Sequence, residues 1–218
     1  MSVADESPRV KRRRYDAESR RFAAERRRTA ILDVAWDCFA RDGFAATTVE
    51  AIAGAAGVSS ASIYKTLGGK TGLVRALVER ALRGDPAEAT AAEVRSERSR
   101  LEANDGRELV ERWGELMREV SPRVSPIVLL LRDVSVVDVD AAGLFAEVES
   151  DRLRRMAANA RVLARRGWLR PGVSVTRARD VMWAMTAPDL YDVLVRRRGW
   201  SVARYVAFIR ETLVAQLL

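Results

Sequence analysis

Glycines divide the stretch from residue 31 to residue 77 into short amphipathic segments, and this spacing constrains the fold more than any other feature of the chain. The first segment has an apolar face of helical period, made of Ile31, Leu32, Ala35, Trp36 and Phe39. Gly43 is predicted to end this helix, because glycine readily adopts the left-handed conformation that closes helices. Thr47 and Glu50 fit a capping box, with Thr47 as the N-cap of a second helix that Gly57 ends.

A third helix is predicted to begin at Ser59 or Ser60, which are both good N-caps, and to stop at Gly68-Gly69. A support helix, a capped second helix, a glycine-containing turn and a short third helix follow one another in the order of a helix-turn-helix. The third helix of such a unit can lie in the major groove of DNA. Its outward side chains are expected to be Ser60, Ala61, Ser62 and Lys65.

The rest of the chain also has helical periodicity and no convincing strand, which predicts an all-α protein. Pro122 and Pro126 are expected to restart a short helix at 127–131, and Pro188 is expected to interrupt a later helix. Four regions are therefore expected: a basic disordered arm at 1–20, a helix-turn-helix DNA-binding domain at 21–83, a linker or weak helix at 84–104, and a helical bundle for ligand binding and dimerisation at 105–218.

Positive charge is concentrated near the N-terminus. The net charge is +8, and the stretch from Arg9 to Arg28 has ten basic and three acidic residues, a net of +7. Residues 29–75 have four charges of each sign, so the helix-turn-helix brings little attraction of its own. We therefore expect the arm to bind the DNA backbone or an adjacent minor groove through Arg12, Arg13 and Arg14. In the alternative interpretation, Arg20 to Arg28 simply extend the first helix as a solvated face.

The chain has no histidine and a single cysteine, Cys38. These facts exclude an intrachain disulfide and nucleophile–histidine triads, and they argue against a zinc site. No cofactor or metal is expected, since loop acids such as Asp133, Asp138 and Asp140 are common without a bound cation. No apolar run approaches the roughly 18 residues that span a bilayer, so we expect a cytoplasmic, nucleoid-associated protein with no membrane partner.

Two continuous stretches resemble the DNA-binding domain of the TetR (tetracycline repressor) family. They read AILDVAWDCFARDGF and TTVEAIAGAAGVSSASIYKTLGGKTGL, and a later stretch, DVMWAMTAPDLYDVLVRRRGW, is similar to effector domains of that family. The resemblance implies that Thr48, Tyr64 and Lys70 contact DNA phosphates, and that Ser60, Ala61, Ser62 and Lys65 read base edges. The sequence departs from the family pattern at Val49, Thr66, Leu67 and Gly68-Gly69.

The resemblance implies a homodimeric transcriptional repressor that binds a double-stranded operator and is released by a small-molecule effector of unknown identity. The helices expected at 176–198 and 201–217 are apolar over wide faces and could pair with a twofold mate. An apolar pocket between helices is the expected effector site. Its candidate residues are Trp113, Met117, Met182, Trp183 and Tyr191, with Phe145, Met156 and Asn159 as further candidates.

Two other functions stay open on the sequence. Because residues 29–75 carry no net charge and few long base-reading side chains, the chain could be a sequence-tolerant architectural DNA-binding protein. It could also be a helical enzyme that uses carboxylates, although no paired acids stand at a convincing spacing and histidine is missing.

Overall fold

The computed structural model describes residues 8–83 and 92–218, with side chains from 22 to 82 and from 94 to 218. Within those residues the chain is all-α, as predicted, and contains no strand. It has ten α-helices and one π-helical segment: α1 Pro8–Ala46, α2 Val49–Ala56, α3 Ser60–Leu67, α4 Gly69–Arg83, α5 Ala92–Glu102, α6 Gly106–Ser135, α7 Val139–Arg165, α8 Val175–Met185, α9 Pro188–Tyr191, the π-helical segment Asp192–Arg197, and α10 Val202–Leu217.

The chain forms two compact units, which divide between Leu73 and Val74. This boundary lies inside α4, about ten residues before the predicted one. The helix therefore begins in the first unit and ends in the second.

Helix α1 begins at Pro8, so residues 8–20 are helical and the predicted disordered arm is wrong for them. Residues 1–7 lie outside the described part of the chain. From Phe22 to Arg27 every side chain is exposed, which agrees with the alternative interpretation of an extended, solvated helix face. Near its other end, α1 is kinked at Gly43, whose φ of 76° and ψ of 164° are not helical.

The start of α2 differs from the prediction by one residue. Thr48, not Thr47, is the N-cap, and its side chain accepts a hydrogen bond from the Ala51 N–H at 3.0 Å. Thr47 is buried instead, and its hydroxyl donates to the carbonyl of Gly43 at 2.7 Å. The predicted capping box is therefore wrong, because Thr47 bonds to the end of α1 instead. The carbonyl of Gly43 also accepts the Thr47 N–H at 3.3 Å, and the Thr47 hydroxyl is 3.2 Å from the carbonyl of Cys38.

Two glycines make the packing of α2, α3 and α4 possible. Gly57 takes the left-handed conformation (φ 66°, ψ 32°), and its N–H bonds the carbonyl of Ala53, which closes α2 before the turn to α3. Gly72 lies where a Cβ atom would be 1.6 Å from the carbonyl oxygen of Leu67, so only glycine fits. The core of this unit contains the predicted apolar face of α1 together with side chains from α2, α3 and α4: Ile31, Leu32, Phe39, Ile52, Ile63 and Leu73.

Helix α6 runs without interruption through Pro122 and Pro126, so the predicted restart at 127–131 is wrong. Each proline removes one backbone donor and strains the preceding turn. The helix persists because Ile127, Val128 and other residues after the prolines are buried, and tertiary packing contributes most of the stability of helices in proteins.

Residues 92–102, predicted as linker or weak helix, form α5. Ion pairs connect α5 to α6, at 2.6 Å between Arg95 and Glu119 and at 3.0 Å between Arg112 and Glu102. These pairs are partly exposed and contribute little stability individually. The segment 84–91 lies outside the described residues.

The C-terminal helices pack around one apolar core. Ser174 caps α8 and Ser201 caps α10. Pro188 interrupts the chain between them, as predicted. After that interruption the chain forms α9 and the π-helical segment, where Asp192 is buried and pairs with Arg197 at 2.7 Å. The buried face of α10 comprises Tyr205, Val206, Ile209, Leu213 and Leu217. Among the described helices, none is long and apolar enough to cross a membrane.

Candidate nucleic-acid interface and ligand cavity

Helix α3 separates an inward apolar face from an outward polar one. Ile63 and Leu67 are buried in the core of the first unit. Ala61, Tyr64 and Lys65 are exposed, whereas Ser60 and Ser62 are half-buried. Ser59 caps the helix by accepting from the Ser62 N–H at 3.2 Å. Small residues on the outward face allow a close approach of the helix backbone to another surface.

Thr48 lies at the exposed N-terminus of α2. Its oxygen accepts the capping hydrogen bond from Ala51, so its hydroxyl proton remains available to an anion. The partial positive charge at a helix N-terminus also favours an anion there. Val49, the next residue, is 3% exposed and belongs to the core, so it offers nothing to a ligand at this position.

Tyr64 and Lys70 lie close to the start of α4. The side chain of Tyr64 is 54% exposed, and its ring lies against Gly69, where a Cβ atom would be 3.1 Å from Cε1. The Nζ atom of Lys70 is 4.2 Å from the centroid of the Phe44 ring, a cation–π contact that positions the ammonium group. A phenol and an ammonium group in these positions can both bind phosphate oxygens.

Several arginines lie along the first half of α1. Arg12, Arg13 and Arg14 belong to α1, but their side chains lie outside the described ones. Arg26 and Arg27 are exposed further along the same helix.

The second unit contains a cavity of about 370 Å³, whose wall is mostly apolar. Helices α6 and α7 supply most of this wall, and α4, α5, α8, α9 and α10 contribute single residues or short runs. Of the residues predicted for the pocket, Trp113, Met117 and Met182 line the cavity, as do the further candidates Met156 and Asn159.

Trp183, Tyr191 and Phe145 do not line this cavity. Trp183 is 37% exposed, and the guanidinium of Arg152 lies 4.5 Å from the centroid of its ring. Tyr191 is buried in an edge-to-face contact with Tyr205, at a centroid distance of 5.3 Å. Amphipathic spacing does not distinguish a cavity wall from a core or an outer face, which explains these misplaced candidates.

Sequence reasoning missed the charged residues of the cavity. Glu149 and Arg152 line it and form an ion pair at 2.7 Å, with side chains 22% and 12% exposed. Arg152 also donates to the carbonyl of Trp183 and to the hydroxyl of Thr186. Their spacing of three residues on α7 was the only signal in the sequence, and it is typical of exposed helix faces too.

Cys38 and Asp138 have structural positions. Cys38 is buried at 5% exposure, and the Asp138 side chain caps α7 by accepting from the Ala141 N–H at 2.8 Å. In the described part of the chain, no group of three or more cysteine, aspartate or glutamate residues is placed to hold a metal ion.

Comparisons with known proteins agree with this arrangement. Residues 31–77 match the model of a family described as bacterial regulatory proteins, tetR family. No curated protein sequence matches the chain.

Solved structures with this fold include SmeT in complex with triclosan (TM-score 0.70, 22% identity, covering 88% of this chain and 91% of that one). A protein of Syntrophomonas wolfei assigned to the TetR-family transcriptional regulators has a TM-score of 0.69 at 18% identity, covering 89% and 98% of the two chains. The TetR-family transcriptional regulator PfmR of Thermus thermophilus has a TM-score of 0.63 at 20% identity, covering 86% and 98%. Residues 31–77 of this chain thus match the model of the tetR family of bacterial regulatory proteins, and the chain as a whole shares its fold with these solved structures.

Proposed function

We propose that this chain is a homodimeric transcriptional repressor that binds a DNA operator and releases it when a small molecule enters the cavity of the second unit. The observation that carries the proposal is the outward face of α3, whose small side chains are accessible on a helix-turn-helix that also presents Thr48, Tyr64 and Lys70. Phosphate contacts orient such a helix, whereas contacts to base edges give specificity.

The base-reading set proposed here is Ser60, Ala61, Ser62 and Lys65. Hydroxyl groups can donate to or accept from base edges, a lysine favours guanine, and the methyl group of alanine can contact thymine. Because Lys65 is the only charged member, non-specific attraction must come mainly from the basic part of α1. A protein of this type works at the nucleoid.

Helix α4 offers a route for the effector signal. Lys70 stands in its first turn, and about two turns later Val78, Glu79 and Leu82 line the cavity. A ligand that favours one position of these wall residues would shift α4 and change how Lys70 meets the phosphate backbone. Such coupling requires a difference in affinity for DNA between the empty and the occupied states. The SmeT–triclosan complex, which has the same fold, supports a small-molecule effector.

The dimer is proposed to form through α8 and α10. The face of α10 opposite its buried residues is exposed and contains three alanines, Ala203, Ala207 and Ala215, beside the polar Arg204, Glu211 and Gln216. Trp183 is exposed on α8. Two such helices and their twofold mates would form a four-helix interface. A dimer presents two recognition helices about 34–36 Å apart, one turn of DNA.

The first experiment selects binding sites for the purified chain from a random DNA pool and then titrates salt on the best site. We expect an enriched palindrome bound by one dimer, and the Lys65→Ala variant should lose preference at one base position, worth about 1–3 kcal/mol. Salt-dependent binding without an enriched sequence would instead indicate an architectural DNA-binding protein. Absence of DNA binding would contradict the proposal.

The dimer has a separate test. Ala207→Arg places a long charged side chain on the exposed face of α10 and should shift the sedimentation of the chain from dimer to monomer. Ala146→Arg, also at an exposed position but on α7, is the matched control and should leave the dimer intact. A dimeric Ala207→Arg protein would contradict the proposed interface.

A further inference from the structure

Helix α5 differs from the other helices that line the cavity. Its only large apolar side chains, Val94 and Leu101, are 49% and 71% exposed. Each of the other six helices buries at least one large apolar side chain, here in chain order from α4 to α10: Leu77, Leu109, Leu163, Met182, Tyr191 and Ile209. Because packing of an apolar face is what mainly holds a helix in a protein, α5 is the most weakly anchored part of the cavity wall.

Helix α5 nevertheless covers one side of the cavity. Ser96 lines the cavity from α5 and Asn159 lines it from α7, and these residues are 7% and 4% exposed. Nη1 of Arg100, one turn after Ser96, donates to the Ser96 hydroxyl at 3.2 Å and to Oδ1 of Asn159 at 3.0 Å. These bonds close the wall between α5 and α7.

The contacts that hold α5 against its neighbours are polar. Besides the bonds of Arg100, an ion pair at 2.6 Å joins Arg95 to Glu119 of α6, and these side chains are 29% and 42% exposed. Ion pairs that solvent reaches contribute little free energy, and salt weakens them. Hydrogen bonds can be replaced by bonds to water when a helix moves away, whereas buried apolar contacts cannot. Displacement of α5 therefore costs less free energy than displacement of any other helix of the wall.

The two ends of α5 are held differently. Just after its C-terminal end, Ala103 is 2% exposed, and Glu102 pairs with Arg112 of α6 at 3.0 Å. Asp105 then caps α6. This end is fixed to the bundle, whereas the turn that carries Ser96 is held by the polar contacts of α5 alone. A movement of α5 away from the cavity would therefore pivot near Ala103.

We propose that α5 is a lid on the cavity, which opens about its C-terminal end to admit a mostly apolar ligand and closes when Arg95 and Arg100 form their bonds again. Elements with few buried apolar contacts open locally in native proteins, and the lids of binding sites are drawn from such elements. The inference rests on the proposed function, since it takes this cavity as the effector site. It gives α5 control over how fast the effector enters and leaves.

The first test is amide hydrogen exchange of the full chain without ligand, measured by mass spectrometry and corrected for intrinsic rates. The amides of α5 should exchange at least about tenfold faster than those of α7 around Asn159, because a lid opens while its neighbours stay folded. Equal protection of the two helices would overturn the proposal.

The second test measures how fast a neutral apolar fluorophore, N-phenylnaphthylamine, enters and leaves the cavity of the full chain. Arg100→Ala removes the bonds to Ser96 and Asn159. The stopped-flow rates of association and dissociation should therefore both rise at least about fivefold, whereas Kd should change less than about twofold, because a lid controls entry and exit alike. Damage to the binding site itself would instead weaken binding.

Arg98→Ala is the matched control on the same helix. Arg98 is exposed and pairs with Glu102 of α5 at 2.6 Å, so its removal takes away the same side chain without breaking a contact to another helix. Its rates should stay within about twofold of those of the natural chain. Unchanged rates in Arg100→Ala, or an equal rise in both variants, would overturn the proposal, and so would the absence of fluorophore binding.

Salt provides a measurement that needs no variant. Raising the ionic strength from about 0.05 to 0.5 M screens the pair of Arg95 and Glu119 but acts on no charge of the fluorophore, so both rates should rise about twofold. Salting-out of the fluorophore would instead slow its dissociation. If Arg100→Ala does not fold, this measurement decides, and a dissociation rate that does not rise with salt overturns the proposal.

The two proposals fail separately. A chain whose fluorophore rates respond to Arg100→Ala but which enriches no DNA sequence keeps the lid and loses the repressor function. A chain that enriches a palindrome but whose fluorophore rates do not respond keeps the function and loses the lid.

Discussion

The two units of this protein place their functional groups in opposite ways. The first presents small and polar side chains on the outward face of α3. The inward face of this helix packs in a core that the helical spacing of apolar residues predicts. The second encloses a mostly apolar cavity, lined by residues of seven helices with a few polar groups among them. The first is therefore suited to contacting a large partner on its exposed surface, whereas the second is suited to enclosing a small molecule.

The close approach of α4 to α3 should be the most sensitive feature of the first unit. Gly72→Ala places a Cβ atom 1.6 Å from the carbonyl oxygen of Leu67, so the backbone must move. We expect a decrease of about 3 kcal/mol in the free energy of unfolding, measured by urea titration, together with an inability to bind the operator.

Gly54→Ala is the matched control in the same unit. No atom lies within 4 Å of a Cβ at this exposed position in α2, so alanine should stabilise the helix by about 0.5–1 kcal/mol. If Gly72→Ala were as stable as the natural chain, the close packing of α4 on the end of α3 would be incorrect.

The basic part of α1 should control the salt dependence of DNA binding. Replacing Arg12, Arg13 and Arg14 together by glutamine should reduce the slope of log K against log salt by about 0.9 for each phosphate that is no longer neutralised. Replacing Arg165, Arg177 and Arg198, which are exposed in the second unit, removes the same charge and should change the slope less. Equal slopes for both triple variants would leave α1 without a specific role in DNA binding.

A single phosphate contact should have a smaller effect. Tyr64→Phe removes one exposed hydroxyl and should weaken binding about fivefold on every DNA sequence, a cost of about 1 kcal/mol. Tyr191→Phe, the same change in the core of the second unit, should leave DNA affinity unaltered. A weakening confined to one sequence would show that Tyr64 reads a base.

The smallest expected effect is a pH dependence in the second unit. Hydrogen bonds from the Asn104 N–H and from Arg112 lower the pKa of Glu108 from 4.5 to about 2. Since the folded pKa is depressed, the stabilisation is fully present above pH 4.5 and is lost as the pH falls towards 2. The Tm difference between the natural chain and Glu108→Gln should therefore shrink over that window. A constant difference would contradict this coupling.

The sequence predicted helix ends best where the cause lies within a few residues of the end. The cap at Ser59 and the break at Pro188 follow from a side-chain hydrogen bond and from the missing N–H of proline. It failed where tertiary packing overrides a local preference. Pro122 and Pro126 remain inside α6 because the turn that follows them, from Ile127 to Leu129, is buried.

The cap of α2 is an intermediate case. Thr47 and Thr48 are equivalent in sequence, and the kink at Gly43 decides that Thr47 is buried and Thr48 caps the helix. Local rules narrow the choice to two residues, and the fold selects one of them.

By itself, the sequence determined the all-α class, the helix-turn-helix and the residues of α3 that are not needed for packing, because glycine conformation, capping and helical period act within a few residues. Only the tertiary structure decided which of the tryptophans and methionines enclose a cavity, since this depends on helices distant in sequence. It also decided that the buried Nε1 of Trp113 has no hydrogen-bond partner among the described residues, because a hydrogen bond is made or left unmade only when its partners are brought together.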